Sequence, residues 1–186
     1  MVLSNLDPFM TAWHGLLNIS IYVTNQKKKE IIILKLDFEK AFDKVEYSAI
    51  LDMLKHLGFG DKFGNWVREI LYSASTSVLL NGVPGKPIKC KRGVRQGDPL
   101  SPILYVLAGE LLQYVINKAW TDGDIQLPLA NYFGLDYPII QYVDDTLIIM
   151  PAKIDQLQNL KNILQRFSLS TGLKVNYSKS SIIIIN

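Results

Sequence analysis

The sequence has one cysteine, Cys90, and two histidines, His14 and His56, in 186 residues. One thiol cannot build a disulfide framework, and one thiol with two isolated imidazoles cannot build a zinc cluster. A lone cysteine fits a reducing compartment. No apolar run approaches the roughly eighteen residues needed to span a bilayer. No signal-peptide pattern opens the chain, so no membrane partner is expected. Repeats and low-complexity segments are absent. So is a strong charge of one sign: 20 Lys and Arg against 17 Asp and Glu leave +3. That balance permits a polyanionic partner without requiring one.

What is present describes a folded chain. Hydrophobic residues make up 48% and charged residues 20% of the total, and 186 residues can enclose one sizeable core. The basic residues cluster: Lys86, Lys89, Lys91, Arg92 and Arg95 lie within ten positions, a pattern able to follow a phosphate backbone.

The apolar spacing sets the elements. Pro8 to about Gln26 reads as a helix, and Ile31–Asp37 as a strand ending in an acid. Tyr47–Leu57 is amphipathic, and Gly58-Phe59-Gly60 stops it. Asp61 is expected to cap the next helix, which carries Phe63, Trp66, Val67, Ile70 and Leu71. Ser75–Asn81 and Lys86–Lys91 read as a hairpin around Gly82-Val83-Pro84-Gly85. Asp98 or Ser101 is expected to cap a helix over Pro102 to about Ala119, with Pro at its first position and Leu104, Leu107, Leu111 and Val115 inward. Trp120–Asp136 reads as a loop with short strands. Ile154, Leu157, Leu160, Leu164 and Phe167 mark a further helix, closed at Gly172. Leu173–Val175 and Ser181–Ile185 read as strands. Helices on one face of a small antiparallel sheet make an α+β fold.

Tyr142-Val143-Asp144-Asp145 carries the most chemistry. Two adjacent acids lie between two apolar runs, so they sit on a strand hairpin. Burying both charges there requires compensation, and divalent cations favour carboxylate oxygens. An exposed acidic turn fits these residues equally well when they are taken alone. Asp37, at the end of a second strand, adds a third acid. Three such carboxylates match a site in which two metal ions, roughly 3.5–4 Å apart, clamp both oxygens of an in-line phosphoryl displacement. Glu39 and Asp43 read as surface acids beside it.

Four segments, LKLDFEKAFDKVE (34–46), RGVRQGDPLSP (92–102), YVDD (142–145) and GLKVNYSKS (172–180), follow the order and spacing of palm motifs A, B, C and D of reverse transcriptases. The chain resembles the non-LTR, LINE-type retrotransposon branch, and its plant members most closely, from about Ala12 to the end. Val143 departs mildly, standing where many LINE-type relatives have alanine.

The resemblance implies an α+β polymerase palm carrying out RNA-templated DNA synthesis. Asp37, Asp144 and Asp145 would hold two Mg²⁺ ions, with Mn²⁺ able to substitute. Phe42 would exclude a ribose 2′-hydroxyl, and Phe38, Gln96 and Gly97 would meet the incoming nucleotide. Lys91, Arg92, Arg95 and Tyr142 would touch nucleic acid, with Gly93 and Gly97 letting the backbone approach a ligand. Lys179 would protonate the leaving pyrophosphate. The partners implied are an RNA template, a DNA primer and deoxynucleoside triphosphates. Nucleus or cytoplasm is the expected location, and the oligomeric state is open.

Only 36 residues precede Asp37, and no fingers, thumb, endonuclease or zinc-knuckle pattern is found. The expectation is therefore one palm domain over 1–186, a fragment, with 1–30 a helical remnant of the fingers–palm junction. A catalytically inactive retroelement remnant and a non-catalytic, sheet-based RNA-binding module remain the alternatives.

Overall fold

The structure is a computed structural model that describes residues 30–126, 139–142 and 145–185, with Tyr142 described by its backbone. The expected Pro8–Gln26 helix and most of the 120–136 loop lie outside the described residues.

The central element is a four-stranded antiparallel sheet in the order β6-β7-β1-β8. Its strands are β1 (Ile31–Leu36), β6 (Ile139–Tyr142), β7 (Asp145–Pro151) and β8 (Ser181–Ile185). Each strand is an Ile- or Leu-rich run, the composition that suits a pleated surface buried on at least one side. Leu36 pairs with Thr146 and Ile33 with Ile149, while Ile33 also faces Ile183 of β8. Ile32, Leu34, Leu36, Ile139, Thr146, Ile148 and Met150 fall on one face by alternation, and all are buried. On the other face Ile31, Ile33 and Ile149 form a separate apolar cluster with Ile140, Leu147 and Ile185.

Five helices complete the described residues: α1 (Ala41–Lys44), α2 (Tyr47–His56), α3 (Asp61–Ser73), α4 (Ser101–Thr121) and α5 (Ile154–Thr171). The chain divides into two units. One takes the described parts of Met1–Asp37, Gln113–Gln165 and Val175–Asn186, and so holds the sheet. Ile116 and Ala119 of α4, and Leu160, Ile163 and Leu164 of α5, supply that unit's buried helical stripes. The other unit takes Phe38–Leu112 and Arg166–Lys174.

Several expectations shift in detail. In α3 the inward stripe is Val67 and Leu71, whereas Trp66 and Ile70 are 57% and 48% exposed. Gly60 takes the cap position without a side-chain bond, and Asp61 is the first helical residue, where an acid still suits the helix dipole. In α4 the buried stripe is Leu104, Tyr105, Ala108, Leu112, Ile116 and Ala119 rather than Leu107, Leu111 and Val115. In α5 Ile154 is exposed, because it opens the helix ahead of the stripe that begins at Gln156. The hairpin turns at Asn81-Gly82, both left-handed (φ 49° and 82°), between β3 (Leu79–Leu80) and β4 (Val83–Pro84). Its base is the pairing of β2 (Ser75–Thr76) with β5 (Ile88–Lys89). Two consecutive left-handed residues match the twist of a tight hairpin, which fixes the turn one step early. Leu173–Val175 is not a strand; only Val175 makes an isolated bridge.

β8 is an edge strand, and Ile182, Ile183 and Ile184 are 59%, 52% and 63% exposed. An exposed apolar edge is a template for strand-to-strand association. Replacing Ile184 with lysine should lower light scattering at equal protein concentration and change the unfolding free energy by no more than about 0.5 kcal/mol. Unchanged scattering would show that this edge does not drive self-association.

Candidate active site

The sheet register aligns the acids. β6 and β7 pair with Tyr142 opposite Asp145. Asp144 itself lies outside the described residues, as does Val143. β1 and β7 pair as far as Leu36 and Thr146, the residues next to Asp37 and Asp145. By strand alternation Lys35 shares the face of those two acids. Along this face the apolar residues Ile31 and Ile33 therefore give way to a charged end. Lys35 Nζ lies 2.9 Å from Asp145 Oδ1, with the two side chains 48% and 58% exposed. The expectation of a buried acid at this hairpin is thus corrected for Asp145. Its charge meets solvent and a lysine instead of being desolvated.

Asp37 is half-buried and its backbone is held from both sides. Its N–H donates to Ser180 Oγ at 3.1 Å, and its carbonyl accepts from the Asn176 N–H at 2.8 Å. The Ser180 hydroxyl donates in turn to the Asn176 carbonyl at 2.8 Å. The turn over 176–180 is therefore bonded to the strand end that carries Asp37, and exposed Lys179 belongs to this turn.

The second unit carries rings and basic groups of its own. Phe42 is half-buried and stacks on buried Tyr105, with centroids 4.5 Å apart and planes at 20°. The Phe42 carbonyl accepts from the Val94 N–H at 2.7 Å, and the Val45 carbonyl accepts from the Gly93 N–H at 2.8 Å. These bonds tie motif A to the start of the motif B loop. Gly93 has φ 82°, and a Cβ there would meet the Asp43 carbonyl oxygen at 2.6 Å. Gly93 thus allows a close approach of its own chain. Gly97 has φ 88° and open space around it. Lys91, Arg92, Arg95 and Gln96 are exposed, and Arg92 Nη1 lies 3.5 Å from Glu46 Oε1. Asp98 Oδ1 accepts from the Leu100 N–H at 2.7 Å, so Asp98 forms the turn that leads into α4. Ser101 is the first helical residue and Pro102 the second, one place further in than expected. Phe38 packs against buried Phe167 at 6.1 Å. Glu39 is occupied by Lys44 at 2.6 Å and Lys174 at 3.9 Å, and the Lys44 hydrogen bond holds its carboxyl below the usual range.

Sequence reasoning missed Lys35, Tyr105, Asn176 and Ser180. Lys35 had a signal: it interrupts an otherwise buried strand two residues before Asp37. Among the described residues no three His, Cys, Asp or Glu side chains converge as a metal-binding group, and no helix is long and apolar enough to cross a membrane.

Residues 3–184 match the family described as reverse transcriptase (RNA-dependent DNA polymerase). The chain belongs to the reverse transcriptase family. It is 30% identical over 81% of its length to a 149 kDa protein of Transposon TX1 from Xenopus laevis. It is 38% identical over 79% of its length to the Pol polyprotein of the type-2 retrotransposable element R2DM from Drosophila melanogaster. The chain spans 11% and 13% of those two relatives. Apo telomerase from Candida tropicalis superposes with a TM-score of 0.68, at 15% identity over 96% of this chain and 32% of that one. At this identity the likeness speaks to the fold, and the reverse transcriptase fold here is an α+β palm.

The two loop glycines should separate on substitution. Gly93→Ala combines a left-handed backbone with a clash against fixed backbone and should cost about 3 kcal/mol or more. Gly97→Ala meets only the backbone term, about 1–2 kcal/mol. Urea denaturation of both variants measures the difference, and equal costs would contradict the packing described for Gly93.

Proposed function

We propose that this reverse transcriptase domain carries out RNA-templated DNA synthesis by two-metal nucleotidyl transfer. The observation that supports the reading is the strand register, in which Leu36 and Thr146, the residues next to Asp37 and Asp145, are the last β1–β7 pair. Two hard oxygen donors there fit a divalent cation. Asp37, Asp145 and, by its motif, Asp144 would hold Mg²⁺. When bound, Mg²⁺ lowers the pKa of an attacking hydroxyl and neutralises charge developing on phosphate oxygens.

The reaction joins a DNA primer 3′-oxygen to the α-phosphorus of a deoxynucleoside triphosphate, breaking the bond to pyrophosphate. Phe42, braced by Tyr105, closes the space that a ribose 2′-hydroxyl needs. Gln96 and Gly97 contact the nucleotide and the template. Lys91, Arg92 and Arg95 hold phosphates, with Arg offering a forked set of donors. Phe38 backs the nucleotide site and Tyr142 the primer. Lys179, on the turn bonded to Asp37, donates a proton to pyrophosphate as it leaves. Residues 1–186 are one palm domain in this reading. Exposed strand residues that are isoleucines, not aromatics, give little support to a sheet-based RNA-binding module.

A DNA primer on an RNA template, with Mg²⁺ and single deoxynucleotides, tests the proposal on the 186-residue chain. Short, template-directed additions are expected, without processive extension, because many phosphate contacts are needed for sustained grip. Asp37→Asn should lose at least about a hundredfold in rate, the scale of a lost charge-stabilising group. Phe42→Ala should lose sugar discrimination by roughly ten- to a hundredfold, the equivalent of about 1–3 kcal/mol of steric exclusion. Additions unaffected by Asp37→Asn would contradict the proposal, and unchanged discrimination would leave Phe42 as a core residue.

A further inference from the structure

β1 buries Ile31, Ile32, Ile33, Leu34 and Leu36 at 1–7% exposure, yet places a lysine between Leu34 and Leu36. The residues directly opposite Lys35 are Leu147 on β7 and Ser181 on β8, neither of them acidic. Its ammonium reaches diagonally to Asp145, 2.9 Å away, at the end of the sheet where Leu36 and Thr146, the neighbours of Asp37 and Asp145, make the last β1–β7 pair. Like charges on neighbouring strands repel. A cation is needed there whether or not a metal ion is bound.

We infer that Lys35 is the resident counter-ion of the carboxylate site, a positioning residue that holds Asp145 when no divalent cation is bound and releases it when one binds. The inference rests on the reading of Asp37 and Asp145 as metal ligands. An ion pair with side chains 48% and 58% exposed is weak, as a displaceable counter-ion must be. Once released, the ammonium remains within a few ångströms of an incoming dication and repels it. Lys35 therefore stabilises the empty site and lowers metal affinity.

Calorimetric titration with Mn²⁺ at low ionic strength tests this on the full chain. Lys35→Met, which keeps the aliphatic stem and removes the charge, should tighten binding about three- to tenfold, the scale of one nearby charge in a largely aqueous medium. Lys35→Arg should bind as the wild type does, because the charge is kept. Equal or weaker binding by Lys35→Met would overturn the inference. A wild-type measurement covers the case in which that variant folds poorly: the ¹⁵N signal of the Lys35 ammonium should move toward that of a free lysine as Mg²⁺ is added. A stationary signal at saturating Mg²⁺ would overturn the inference as well. Asp37→Asn and Asp145→Asn separate the two levels. If neither weakens Mn²⁺ binding, the metal reading itself fails. If both weaken it while Lys35→Met does not tighten it, only the counter-ion role fails.

Discussion

The antiparallel register of β1 against β7 is the constraint on which the rest depends. Side chains alternate with a period of two, so a slip of one residue would send Lys35 and Asp37 to the opposite face from Asp145. The slip is opposed along the whole strand. Ile32, Leu34 and Leu36 must stay with Ile148 and Met150 on one face, and Ile31 and Ile33 with Ile149 on the other. A one-residue slip would carry Lys35 onto the face where Leu34, Leu36, Ile148 and Met150 are buried, away from solvent. The core thereby fixes the spacing of charges it does not contain.

Within each unit, backbone contacts hold the segments that carry the candidate residues. The 176–180 turn bonds both the N–H and the carbonyl of Asp37. In the second unit, Gly93 and Val94 bond the backbone of Val45 and Phe42, and Tyr105 braces the Phe42 ring. A buried stacking partner limits how far the Phe42 ring can move. The electrostatics follow the opposite logic. Asp145 and Lys35 are exposed, as are Lys91, Arg92 and Arg95.

Much of this was legible in the sequence. Strands β1, β7 and β8 follow from runs of Ile and Leu, and α2 and α5 from apolar residues at helical spacing. The acids stand out because each closes or opens an apolar run. The phase of α4 was not legible: Leu107, Leu111 and Val115 are as apolar as the residues that face inward, so periodicity gives no direction. Nor were the long-range pairs. Phe42 meets Tyr105 across sixty-three positions and Lys35 meets Asp145 across a hundred and ten, and only the folded register brings each pair together. Nor was the contact of Gly93 with Asp43, because a glycine reports a close approach without saying which backbone comes near.

The shared face of Asp37 and Asp145 is tested most directly by Mn²⁺ broadening of backbone amide signals in ¹⁵N-labelled protein. At substoichiometric Mn²⁺ the amides of Lys35–Asp37 and of Asp145–Leu147 should broaden together. Those of Ile31 and Met150, five or six residues and so roughly 17–20 Å away along the strands, should broaden less. Broadening that begins at Glu39, Asp43 or Asp98, or that touches one of the two strand ends without the other, would contradict the account.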